Sequence, residues 1–154
     1  MPWPVAIREH AGPRAGLRPL FELAEDSQAE LDAYLGAGEV LVAIEGKELV
    51  GHLQLAGDEI KNMAVVETHR GRGVGRALVA AAVERARDER VAVLRVATGA
   101  ADTAHLRFYQ RLGFRMCAIE RDAFTPANGY PPGLEVDGIE LRDRVWLDLR
   151  LDAG

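Results

Sequence analysis

The residues best placed to do chemistry lie in one run, His69 to Arg76, which reads HRGRGVGR. Gly71, Gly73 and Gly75 remove side chains where a backbone must approach a ligand or take a positive φ. Arg70, Arg72 and Arg76 stand among them. The run follows a strand pattern and opens directly into a long amphipathic pattern. Unpaired amides and the positive end of a helix dipole therefore converge on one spot, including the amide of Val74. That is an anion site, best suited to phosphates.

Two phosphate loops can be tested by spacing. A nucleotide-triphosphate loop ends in Gly-Lys-Ser/Thr, and here Gly75 is followed by Arg76 and Ala77. A dinucleotide loop needs G-x-G-x-x-G/A, and both Gly71-x-Gly73 and Gly73-x-Gly75 lack the third small residue. What remains is Arg70-x-x-Gly73-x-Gly75, or else a glycine-rich turn that only joins a strand to a helix.

The elements that must position this loop follow from periodicity. Residues 5–9 suit a first strand. Leu17, Leu20, Phe21 and Ala24 share one helical face within 14–26, and Pro19 implies a kink or a start near Arg18. Ser27-x-x-Glu30 is a capping-box pattern for a helix over 28–35, ended by Gly36. Strands over 39–44 and 48–55 flank Glu45-Gly46-Lys47, a hairpin turn. Alternation in the second puts Leu49, Gly51, Leu53 and Leu55 on one face and Val50, His52 and Gln54 on the other. The motif strand ends in Met63-Ala64-Val65. Leu78, Val79, Ala82, Val83 and Ala86 form the buried stripe of the helix after the loop. Residues 91–97 read as a fully buried central strand. Residues 102–112 read as a helix capped by Asp102 or Thr103 and stopped by Gly113. A strand over 114–120, an irregular segment over 122–142 and an alternating strand over 143–151 complete the chain. So long a connection is usually functional or mobile.

Two motifs now stand at a defined separation. Arg70-x-x-Gly73-x-Gly75 resembles the pyrophosphate loop of the GNAT superfamily of N-acetyltransferases. The segment 102–114, DTAHLRFYQRLGF, resembles that family's N-x-x-A-x-x-x-Y-x-x-x-G-F helix through Tyr109, Gly113 and Phe114. Asp102 stands where Asn is common, and His105 where Ala is common. The resemblance implies an α/β (α+β) fold over residues 1–154 as one domain. Its central mixed, mostly antiparallel sheet would have about seven strands, helices on both faces and a splay between the fourth and fifth strands. It implies acetyl-CoA as co-substrate. The loop amides from Gly71 to Arg76 would take the pyrophosphate, and the edge of Met63, Ala64 and Val65 would pair with the pantetheine arm. Asp102 would stand where the family contacts that arm or the phosphates.

Acetyl transfer to an amine would then need an acid for the departing thiolate. Tyr109 is the resemblance's choice, since a phenol of pKa about 10 is protonated at neutral pH. A buried core tyrosine is the competing reading. Glu59 is the candidate base, on a strand face shared with Lys61, Met63 and Val65 by alternation. Asp58, Glu120 and Asp122 compete with it, and deprotonation through water needs no single base. The resemblance implies that the acceptor would be a primary amine of a small molecule or protein. Asp122, Glu135, Asp137 and Glu140, with Phe124, Tyr130 and Trp146, could hold its cationic form. An ordinary solvated loop, or a homodimer contact through the last strand, is compatible with the same residues.

Composition sets the outer limits. The chain has 154 residues, is 48% hydrophobic and 28% charged, and carries a net charge of −5. Those values suit a soluble globular protein and not a nucleic-acid binder. Cys117 is the sole cysteine, which excludes an internal disulfide and a cysteine-rich metal site. His10, His52, His69 and His105 have no metal-ligand spacing. No membrane-length apolar run and no leader pattern is found, so the cytoplasm is the expected compartment. A non-catalytic acyl-CoA sensor is the alternative from another class.

Overall fold

The N-terminal run forms β1 (Ala6–Glu9) in the structure, a computed structural model that describes residues 5–151. A 3-10 turn then leads into α1 (Arg18–Glu22). Pro19 sits in its first turn, where a missing N–H costs nothing because that donor would be unpaired anyway. The helix therefore starts late, and it ends four residues short of the span its apolar face suggested. In α2 (Gln28–Tyr34), Ser27 Oγ accepts from the Glu30 amide at 3.1 Å. The reciprocal bond of the box is replaced: Ser27 N donates to Glu25 Oε2 at 3.2 Å.

The hairpin strands are β2 (Glu39–Glu45) and β3 (Glu48–Ala56), followed by β4 (Glu59–Val65), α3 (Val74–Asp88) and β5 (Val93–Gly99). Next come α4 (Thr103–Arg111) and β6 (Arg115–Glu120), a small hairpin of β7 (Glu135–Val136) and β8 (Ile139–Glu140), and β9 (Arg144–Arg150). The main sheet has seven strands in the order β1-β2-β3-β4-β5-β9-β6. Among the described residues only the β4–β5 pair is parallel. The sheet class and its helices on both faces are as expected.

Each face carries its own apolar cluster. Leu53, Ile60, Leu78, Ala82, Leu94, Phe114 and Leu147 form the larger one beneath α3. Leu17, Phe21, Leu31, Tyr34, Val40 and Val42 form the other, which seats α1 and α2 on β2. Each fully buried leucine or phenylalanine contributes about 1.5–3 kcal/mol.

Two bulges correct the simple alternation. In β3 the register passes from Gly51↔Ala43 to Leu49↔Ile44, so Val50 has no partner. A one-residue insertion exchanges faces. Val50 thus joins Leu53 and Leu55 in the core, whereas Leu49 is 40% exposed. In β4 the register passes from Asn62↔Gln54 to Ile60↔Leu55 and skips Lys61. Met63 and Val65 consequently pack on the α3 side. Glu59 and Lys61 face the other way, toward Tyr34, and the four do not share a face as expected.

The strand β5 is central but not buried throughout. Leu94 and Val96 are buried. Arg95 points to the opposite face, bonds Asp58 at 3.2 Å and lies 5.0 Å over the Trp146 ring. The segment between β6 and β9 is pinned rather than loose. Tyr130 and Leu141 are buried, and Tyr130 meets Phe124 edge-on at 5.0 Å.

Candidate active site

The helix α3 begins at a left-handed glycine. Gly73 is its N-cap at φ +86°, and Gly71 has φ +75°. A Cβ on either would meet nothing within 4 Å, so the outer side of the loop is open. Val74 is buried and offers the site only its backbone. Arg72 and Arg76 are exposed on the loop and first turn. Arg70 Nε donates to Val65 O at 2.9 Å and ties the loop to the end of β4. The first amides of α3 thus point into open space with the dipole behind them, a geometry that receives phosphate.

The gap beside the loop comes from the sheet. The β4–β5 pairing is limited to Glu59↔Arg95 and Ile60↔Val96. From Asn62 onward β4 pairs with β3 alone. Met63, Ala64 and Val65 therefore present an unpaired strand edge toward the parting β5. An extended amide-bearing ligand can be added there as a further strand. Open loop, free amides and free edge together fit a long phosphate-ended thioester.

Tyr109 is 4% exposed, on the α3 side of the sheet, with Phe108 and Phe114 edge-on at 5.0 and 5.5 Å. Burial, and then the Asp102 charge, push its phenol above the usual range. It is therefore fully protonated at neutral pH. Asp102 caps α4: Oδ1 accepts the His105 amide at 3.1 Å and Oδ2 pairs with His105 Nδ1. The bond to His105 holds this carboxyl below its ordinary pKa. Both oxygens of Asp102 are thus engaged inside its own helix. Glu59 lies 3.8 Å from Lys61 Nζ, whose ammonium sits 4.9 Å over the Tyr34 ring. Strand rise puts Glu59 about 20 Å from Val65, so the structure does not bring it to the loop.

One buried polar chain was missed by sequence reading. His52 Nε2 meets Asn62 Oδ1 at 2.7 Å, and Asn62 Nδ2 donates to Phe21 O and to the Tyr34 hydroxyl at 3.2 and 2.9 Å. Tyr34 in turn donates to Glu25 Oε1 at 2.9 Å. Because the Asn62 amide nitrogen makes two donations, its oxygen must accept, and His52 Nε2 carries the proton. His52 Nδ1 is then buried without a partner among the described residues. Burial lowers the imidazole pKa to about 4. Burial likewise raises the Tyr34 phenol above its usual range. This chain locks α1 and α2 to β4. The only signal for it in the sequence was polar His52 and Gln54 in an otherwise apolar strand.

Among the described residues no group of three or more His, Cys, Asp or Glu could hold a metal ion, and no helix is long and apolar enough to cross a membrane.

Residues 36–116 match the family model described as an acetyltransferase (GNAT) domain. An uncharacterized N-acetyltransferase, YvbK, of Bacillus subtilis (strain 168) is 36% identical over 140 residues, covering 86% of this chain and 89% of that protein. A GNAT family acetyltransferase from Elizabethkingia anophelis, solved with acetyl-CoA bound, superposes with a TM-score of 0.86 at 30% identity, over 96% of this chain and 98% of that one. A Bacillus subtilis acetyltransferase solved with CoA gives 0.85 at 33% identity, over 95% and 98%. With the open loop, the splayed strands and these likenesses, the chain belongs to the GNAT family of acetyltransferases.

Proposed function

We propose that the protein moves an acetyl group from acetyl-CoA to a primary amine of a small molecule or protein, by direct attack in a ternary complex. The observation that carries this reading is the parting of β4 from β5 directly beside the glycine-rich loop. The amides from Gly71 to Arg76 hold the pyrophosphate, with Arg70, Arg72 and Arg76 adding positive charge. The edge of Met63, Ala64 and Val65 aligns the pantetheine arm. A backbone N–H near Val65 polarises the thioester carbonyl, a donor worth about 3 kcal/mol in the transition state. The amine nitrogen bonds to the carbonyl carbon, the C–S bond breaks, and Tyr109 gives its proton to the departing sulfur. The amine proton is taken up by water, because Glu59 stands about 20 Å along β4 from Val65. The whole chain acts as one catalytic domain in the cytoplasm.

Calorimetric titration with acetyl-CoA, against ATP and NAD, tests the reading. Micromolar binding of acetyl-CoA alone, followed by thiol release with a panel of amines, is expected. Absence of acetyl-CoA binding overturns it. Tight binding without turnover on any amine leaves a sensor in place of an enzyme.

A further inference from the structure

The residue that precedes the glycine-rich loop is held from outside the loop. His69 is 8% exposed. Its Nε2 lies 3.2 Å from Glu45 Oε2, at the end of β2, and its Nδ1 lies 2.9 Å from Thr68 Oγ1. A carboxylate only accepts, so Nε2 carries the proton toward Glu45. The His69 amide donates to Val66 O, and the Val66 amide to Val50 O on β3, both at 2.9 Å. The β2–β3 hairpin therefore fixes the chain immediately before Arg70.

Inside the loop no such anchors exist at the glycines. Gly71 and Gly73 have no side chain, and their Cβ directions point into open space. Beside the Arg70 bond to Val65 O, the amides between them are preorganised from the loop's two ends. One end is α3, packed into the core by Val74 and Leu78. The other is His69.

We infer that Glu45 and His69 form a strut that positions the loop amides for phosphate. They are positioning residues, remote from the reacting atoms, and this rests on the reading of the loop as the acetyl-CoA phosphate site. A fixed donor array gains affinity because less order is lost on binding.

The test compares two ligands across three variants. Glu45→Ala and His69→Ala are expected to weaken acetyl-CoA binding about five- to tenfold in calorimetry, and Glu45→Gln, which keeps an acceptor, to stay within about twofold. S-acetylpantetheine, which has no phosphates, is titrated by NMR chemical shifts and is expected to bind all variants as it binds the wild type. Unchanged acetyl-CoA affinity in Glu45→Ala overturns the strut. So does an equal loss for both ligands, which marks general destabilisation. Wild-type protein that binds S-acetylpantetheine but gains nothing from the phosphates of acetyl-CoA overturns the loop assignment itself, and the strut with it.

Discussion

The Cζ atom of Phe108 on α4 lies 3.3 Å from the point a Cβ on Gly75 would occupy. Gly75 is the second residue of α3 and has no positive φ, so its glycine identity answers to close approach and not to backbone conformation. The contact joins the phosphate loop to the helix that carries Tyr109. Tyr109 itself meets Phe108 edge-on, so a shift of one ring is felt by the other.

Gly75→Val tests that junction. The branched side chain must displace the Phe108 ring, and overpacking of this kind costs about 1–3 kcal/mol. Weaker acetyl-CoA binding and a lower turnover number are both expected. Phe108→Ala in the same chain should restore part of each, giving a coupling of about 1 kcal/mol in a double-mutant cycle. Strict additivity would show that the two motifs are independent.

Gly73 separates conformation from charge. Its φ of +86° disfavours any side chain, but the space beyond is open. Gly73→Ala, Gly73→Gln and Gly73→Glu should each cost about 1–2 kcal/mol of stability, measured by denaturant unfolding. Only Gly73→Glu places an anion at the converging amides, so it alone should abolish acetyl-CoA binding. Comparable affinities for the Gln and Glu variants would remove the loop from the phosphate site.

What was readable in the sequence were features set by local chemistry. Ser27 and Gly73 mark helix starts through caps and turns, and the α3 stripe follows from its period. The unread features depend on partners far along the chain. The bulges at Val50 and Lys61 are decided by cross-strand register, which alternation within one strand cannot reveal. Arg95 looked interior because its neighbours are apolar, yet its charge is met by Asp58, in the turn between β3 and β4. Asp102 was expected as a cap and caps α4, but its pairing with the His105 ring is not visible in the cap pattern. The Glu25–Tyr34–Asn62–His52 chain spans three elements and a loop, and no single window of sequence contains it.

Tyr109→Phe removes only a hydroxyl from an aromatic cluster. Stability and acetyl-CoA affinity should hold, and the turnover number should fall about 10²-fold, within the usual range for a lost general acid. The wild-type phenol is raised above its ordinary pKa, so its deprotonation should cause no alkaline loss of rate below about pH 10. Steady-state rates across pH check both. Turnover within about twofold of wild type would confine Tyr109 to packing.

His52 supplies an acid-side dependence of stability. Burial lowers its folded pKa to about 4, whereas an unfolded histidine titrates near 6.5. Between those values the unfolded chain binds the proton more tightly, so stability is fully present above about pH 6.5 and is lost as pH falls toward 4. One group with this shift removes about 2 kcal/mol between pH 7 and pH 4.5. Carboxylates titrate in the same window, so the measurement is a difference. Denaturant unfolding of wild type and His52→Gln across that range should give curves that converge at low pH by about that amount. The glutamine amide can still donate to Asn62 Oδ1, which keeps α1 and α2 fastened to β4 while the titration disappears. Parallel curves would show that protonation of His52 is shared by both states, and that the unpartnered Nδ1 finds water when the ring is charged.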